Sequence, residues 1–192
     1  TGDEVIVVKV DRTSSGYLWG WLSDGCLVDM QDLAYPAVDG NWQNGSQVSI
    51  GVGPFVIAPV ANTGVCLDVE GGSAASGTNV RLYEWNDTPS QQFTFAPSGD
   101  GDGTYVVKSA LGDVVLDVTG GSHADGTNVW TCTPNGTPAQ KWYVERTPDG
   151  CYSLRSSVNN LYLDYEGEAA QLSNLRVMHG SGGASQKFLL IP

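Results

Sequence analysis

Three aspartates recur along this chain at intervals of about 48 residues, each in the same setting: Cys66-Leu67-Asp68-Val69, Val115-Leu116-Asp117-Val118 and Tyr162-Leu163-Asp164-Tyr165. An ionised carboxylate is a strong hydrogen-bond acceptor, and beside a suitable partner it can also act as acid, base or nucleophile. Catalysis of that kind needs two opposed carboxylates, or a nucleophile next to its base. Here each recurring aspartate belongs to a separate repeat, and threefold symmetry would set them far apart, so no enzyme activity is expected. His123 and His179 are lone histidines without a paired carboxylate or nucleophile at a motif spacing, and they read as surface residues. The four cysteines, Cys26, Cys66, Cys132 and Cys151, fall at no metal-site spacing, and neither a metal nor a cofactor is expected. They permit two disulfides in three possible pairings, which leaves their redox state open. What remains is recognition by fixed acceptors beside flat aromatic surfaces, of which six Trp and eight Tyr offer many.

Charge narrows the partner. Nine Lys and Arg against 21 Asp and Glu give a formal net charge of −12, which repels phosphate backbones and anionic bilayers. Nucleic acid and membrane are therefore not expected partners, whereas neutral hydroxyl-rich polymers suit a surface of carboxylates and amides. With 41% hydrophobic and 16% charged residues the chain can bury a core. Apolar runs such as Val5 to Val8 are far shorter than the roughly 20 residues of a membrane-spanning helix.

The elements that position the aspartates repeat with them. Downstream of each lies a Gly- and Ala-rich loop, then Asn79-Val80-Arg81-Leu82, Asn128-Val129-Trp130-Thr131 or Asn174-Leu175-Arg176-Val177. Each copy closes on Gln91-Gln92-Phe93, Gln140-Lys141-Trp142 or Gln186-Lys187-Phe188. Short β-branched runs broken by Gly, Asn, Pro and Asp turns, with no helical period, predict an all-β fold. One unit of about 45 residues cannot bury its own apolar face, so the three should close around a shared core.

Leu-Asp-Val, Gly-Thr-Asn-Val and Gln-x-Trp or Gln-x-Phe, three times in register over about three quarters of the chain, resemble the ricin-type β-trefoil lectins and family 13 carbohydrate-binding modules. The resemblance implies an all-β β-trefoil over residues 53–192 that binds sugar without transforming it. In that family the aspartate accepts from two adjacent hydroxyls, an aromatic some 15 residues later forms a platform, and a polar pair at Gln-x-Trp completes the pocket. Carried over, the first lobe supplies Asp68, Tyr83 and Gln91. Ser90 stands where Asn often precedes the Gln, Asn86 offers a replacement amide, and Trp85 widens the platform. The second lobe supplies Asp117 and Gln140. An ungapped count puts Cys132 in its aromatic slot, and a two-residue shift that moves Trp130 there is the favoured alignment. The third lobe has Asp164 and Gln186 but Met178 in the slot, and is expected to bind weakly or not at all. The three glutamines and the aromatics that follow them are also expected to serve the fold, as ties for loop backbone and as core filling.

Residues 1–50 read as a small β segment, with a strand over Gly2 to Val10 and a hairpin of Leu18 to Leu22 and Cys26 to Val28 about an Asp24-Gly25 turn, followed by a polar Gly-rich linker. They resemble the later half of a bacterial Src-homology-3-like cell-wall domain, and Trp19 and Trp21 would share one face of its strand. The chain begins Thr1-Gly2 with no Met and no signal peptide, as a cut-out piece of a longer protein would. The whole reads as a monomeric, secreted or cell-surface module that anchors a larger protein to galactoside, xylan or wall glycan. A degenerate trefoil serving as a structural or protein-interaction module is the alternative, favoured by Cys132 and Met178.

Overall fold

The computed structural model describes the backbone strands 7–12, 18–22 and 27–29, together with residue 50 and residues 53–192. Near the amino terminus, β1 (Val7–Arg12), β2 (Leu18–Leu22) and β3 (Leu27–Asp29) form an antiparallel sheet in that order, with Trp19 opposite Asp29 and Trp21 opposite Leu27. The side chains of this segment, the turn between β2 and β3, the linker and Cys26 lie outside the described residues, as does the test of the cell-wall-domain resemblance.

From residue 53 onward the chain lays down twelve strands, four per repeat. The first repeat has β4 (Val56–Pro59), β5 (Val65–Val69), β6 (Thr78–Glu84) and β7 (Phe93–Pro97). The second has β8 (Tyr105–Ser109), β9 (Val115–Val118), β10 (Thr127–Cys132) and β11 (Trp142–Arg146). The third has β12 (Tyr152–Ser156), β13 (Tyr162–Tyr165), β14 (Leu175–Met178) and β15 (Phe188–Ile191). Last strands pair with first strands of the next repeat, β7 with β8 and β11 with β12, and β15 returns to β4. That return closes the barrel and leaves no open edge there. Middle strands form hairpins, β5 with β6, β9 with β10 and β13 with β14. Among the described residues the only helical pieces are short 3-10 turns.

Strand alternation sorts the side chains. Leu67, Val80 and Leu82 of the first hairpin, Leu116 and Val129 of the second, and Leu163, Leu175 and Val177 of the third point inward and are fully buried. Phe93, Trp142 and Phe188, which follow the recurring glutamines, also have no exposure and meet in the same core cluster. The expectation that these aromatics fill the core holds.

Three asparagines close the lobes on one another. Asn128 donates its Nδ2 to Asn79 Oδ1 (3.0 Å), Asn79 to Asn174 Oδ1 (3.0 Å), and Asn174 to Asn128 Oδ1 (2.8 Å). Each amide gives one bond and takes one, so the ring is satisfied only when all three repeats are in place. The loop of each lobe also reaches the next hairpin through backbone bonds: Gly77 N–H to Thr131 O (2.7 Å), Gly126 N–H to Val177 O (2.9 Å), and Leu172 N–H to Leu82 O (2.8 Å), the last with Leu82 N–H returning a bond to Ser173 O (2.8 Å).

Candidate functional site

In the first lobe, Asp68 stands directly opposite Arg81 across the β5–β6 hairpin, and Cys66 opposite Tyr83. Because alternate residues share a face, these four lie on the side away from the core residues Leu67 and Leu82. A 3-10 turn at Pro89–Gln91 then folds back onto the hairpin. From it Ser90 donates its hydroxyl to Asp68 Oδ2 (3.0 Å), and Gln91 Nε2 approaches the same oxygen at 3.3 Å. Arg81 Nε lies 3.9 Å from Asp68 Oδ1, while its Nη1 donates to Glu70 Oε1 (2.7 Å) and its guanidinium sits 5.1 Å from the Tyr83 ring centre. Burial raises the pKa of Asp68, against the opposing pull of Ser90, Gln91 and Arg81. The same burial pushes the Cys66 thiol up to about 12, with Asp68 and Asp87 adding to it.

Gln91 is fully buried and does not line a pocket. Its Nε2 donates to Glu84 O (2.8 Å) and its Oε1 accepts from Asn86 N–H (2.9 Å), which fixes the loop that carries Trp85 and Asn86. Gln140 makes the same ties to Thr133 O and Asn135 N–H, and Gln186 to His179 O and Ser181 N–H. The expected fold role of these amides is what the structure displays. Gln91 acts on Asp68, and Gln140 on its own loop. Asn86 is exposed. Its Oδ1 accepts from the Thr88 N–H and hydroxyl. Tyr83 is half-buried, and Trp85 is exposed with its indole N–H donated to Asp87 Oδ1 (2.6 Å).

The second lobe corrects the favoured alignment. Asp117 faces Trp130, and Val115 faces Cys132, so Cys132 occupies the slot of Tyr83 and Trp130 the slot of Arg81. No two-residue shift exists. Trp130 still meets the aspartate: its indole N–H donates to Asp117 Oδ1 (2.7 Å), and its ring lies against Gly77, where a Cβ would meet it at 3.5 Å. Ala139 replaces Ser90 here and brings no hydroxyl to the aspartate. Cys132 accepts a weak bond from Ser76 Oγ (3.2 Å). It is a free thiol, as is Cys66, whereas Cys151 is in a disulfide.

In the third lobe both oxygens of Asp164 are taken, Oδ1 by Arg176 Nε (3.1 Å) and Oδ2 by Ser185 Oγ (2.8 Å). Met178 stands in the platform slot, opposite Tyr162. His179 is not a lone side chain: its ring nitrogen and its backbone N–H both reach Asp125 of the second lobe (2.9 and 2.7 Å). Sequence reading passed over Arg81 and Arg176. Their signal was a charged residue set between the core positions Val80 and Leu82, or Leu175 and Val177. Among the described residues no three His, Cys, Asp or Glu gather as a metal site, and no helix is long and apolar enough to cross a membrane.

Three four-stranded repeats closed on an amide ring, each with a nearly fully buried aspartate on the hairpin face away from the core, define a β-trefoil. The chain belongs to the ricin-type β-trefoil lectin domain-like family, whose sequence model matches residues 40–129 and again 89–178, displaced by about one repeat. Among solved structures it is similar to the designed threefold-symmetric protein ThreeFoil, with 29% identity and a TM-score of 0.68 over 72% of this chain and 97% of that one. The Rhizoctonia solani agglutinin is 19% identical with a TM-score of 0.66, covering 76% of this chain and 99% of its own. The exo-β-1,3-galactanase 1,3Gal43A of Clostridium thermocellum is 21% identical with a TM-score of 0.67 over 95% of this chain, which spans 37% of the galactanase. No curated protein matches.

Proposed function

We propose that the chain is a non-catalytic carbohydrate-binding module whose principal site is the outer face of the first hairpin. The observation that carries this reading is the meeting of Asp68, Arg81 and Tyr83 on one face, with Ser90 donating to the carboxylate from below (3.0 Å). A sugar ring presents hydroxyls at its edge and C–H groups on its face, so a fixed acceptor beside an aromatic surface matches both. The side chains around Asp68 are donors, which suits a held acceptor and not a proton shuttle. The Nδ2 of Asn86 adds a donor at the rim. Trp130 and Asp117 form a second, poorer site, because Cys132 stands where the first lobe has Tyr83 and Ala139 where it has Ser90.

Galactosides, xylan and wall glycan are the substrate classes proposed, and the biological task proposed is to hold a larger exported protein on a glycan surface. The agglutinin and the galactanase, by their names, point to sugar as the partner. A shallow site with few hydrogen bonds and one stacked ring is expected to bind near the millimolar range, about −4 kcal/mol. Calorimetric titration with galactosides, xylo-oligosaccharides and wall fragments tests this: Asp68→Ala and Tyr83→Ala should each abolish measurable binding with the β circular dichroism intact. Binding retained in both variants would sink the reading.

A further inference from the structure

Each hairpin slot faces one residue of a neighbouring lobe's loop. Trp130 pairs with Asn79, Thr127 with Val177, and Arg81 with Asn174. Continuing these antiparallel registers, by two residues for the first and third pair and by one for the second, places Gly77 across from Cys132, Leu172 across from Tyr83, and Gly126 across from Met178. The backbone bonds of Gly77 to Thr131, Gly126 to Val177 and Leu172 to Leu82 agree with that register. All three residues take the left-handed conformation, with φ of 88°, 79° and 72°. Glycine adopts it freely, whereas leucine does so with its Cβ crowded against its own backbone. Leu172 is also 59% exposed, more than Trp85, the other exposed large hydrophobic among the described residues.

Strain and exposure both work against stability, and the two sister lobes avoid them with glycine. The exchange falls in the one loop that faces a slot holding an aromatic ring, Tyr83 of the first lobe. We propose that Leu172 is a specificity-determining residue of the first-lobe site, an apolar wall lent by the third lobe that selects glycans carrying a methyl or acetyl group on the sugar stacked against Tyr83. This rests on the carbohydrate-binding reading above. Asp68 and Asn86 meet hydroxyls, for which leucine offers nothing, and a methyl group beside leucine leaves water on contact.

The test compares matched ligands by calorimetry on the full chain: galactose against N-acetylgalactosamine, and xylobiose against acetylated xylobiose. Wild type should prefer the substituted member of the pair it binds. Leu172→Gly should reduce that preference by about fourfold, the worth of one buried methyl-sized group, with unsubstituted binding unchanged. Its unfolding midpoint should rise by roughly 3 °C as the strain is relieved. Leu172→Asn, polar and tolerant of the same backbone, should lose the preference too. A preference unchanged in both variants, an equal loss on both members of a pair, or a lowered midpoint for Leu172→Gly would each overturn the wall while leaving sugar binding standing. If wild type bound neither pair nor any other glycan tried, the carbohydrate reading itself would fall, and the wall with it.

Discussion

Asp68 is pulled two ways. Burial raises its pKa, while Ser90, Gln91 and Arg81 favour the charged form without winning. An acid raised above its unfolded value of about 3.8 costs stability wherever it is ionised in the fold, and the cost is relieved as pH falls through the folded pKa. Its charge is therefore held against the fold, as a binding role would require. Asp68→Asn keeps an acceptor for Ser90 and removes the charge, so the unfolding midpoint should stay or rise. Affinity for sugar should meanwhile drop by about 1.5–3 kcal/mol, the worth of a charge-assisted bond. Titration from pH 7 to pH 4 should show wild-type binding fade at a higher pH than an ordinary aspartate allows, with the Asn variant flat; a flat wild-type profile would contradict the role. The lobes also rank. Asp164, with both oxygens occupied by Arg176 and Ser185, should change to Ala without loss of sugar binding, though with a lower midpoint. Asp117→Ala should weaken binding to long polymers by removing avidity, and leave short ligands unaffected.

At the scale of the hairpin, what was legible from sequence was what lies close together along the chain. The Leu-Asp-Val strands, the turns and the closing glutamines recur in the same order, and the aromatics after those glutamines, Phe93, Trp142 and Phe188, were read as core filling and are buried. Cross-strand register is another matter, since parity survives a two-residue slip and only the pairing of Asp117 with Trp130 shows that none occurs. Arg81 escaped notice because its partners Asp68, Glu70 and Tyr83 are set by that register. The asparagine ring was visible as a repeated letter but not as a contact, because its members come from three lobes. Removing one amide leaves a donor and an acceptor unpaired in its neighbours. Asn128→Ala is expected to lower stability by about 2 kcal/mol in urea unfolding, while an exposed asparagine such as Asn86 changed to Ala should cost less than half of that. Equal costs would show that the ring contributes no more than surface amides do.

For the molecule as a whole, closure is the governing fact. The last strand, β15, pairs with the first of the trefoil, β4, over Phe188 to Ile191 and Pro59 to Val56, so every barrel strand from 53 onward finds its partners within that stretch. The core cluster that runs from Ile57 to Leu190 draws on the same residues, with Ile50 the one earlier side chain described against it. A fragment beginning at Gly53 should therefore fold cooperatively without the amino-terminal strands. Cys151, disulfide-bonded in the full chain, would be changed to Ser in the fragment to prevent cross-linking. Losing the disulfide is expected to lower the unfolding free energy by about 2–4 kcal/mol without dividing the transition. Urea unfolding followed by tryptophan fluorescence and by circular dichroism checks this, because two coincident curves mark a single cooperative unit. Curves that separate, or a fragment that aggregates, would mean that residues 1–52 belong to the same folding unit as the barrel.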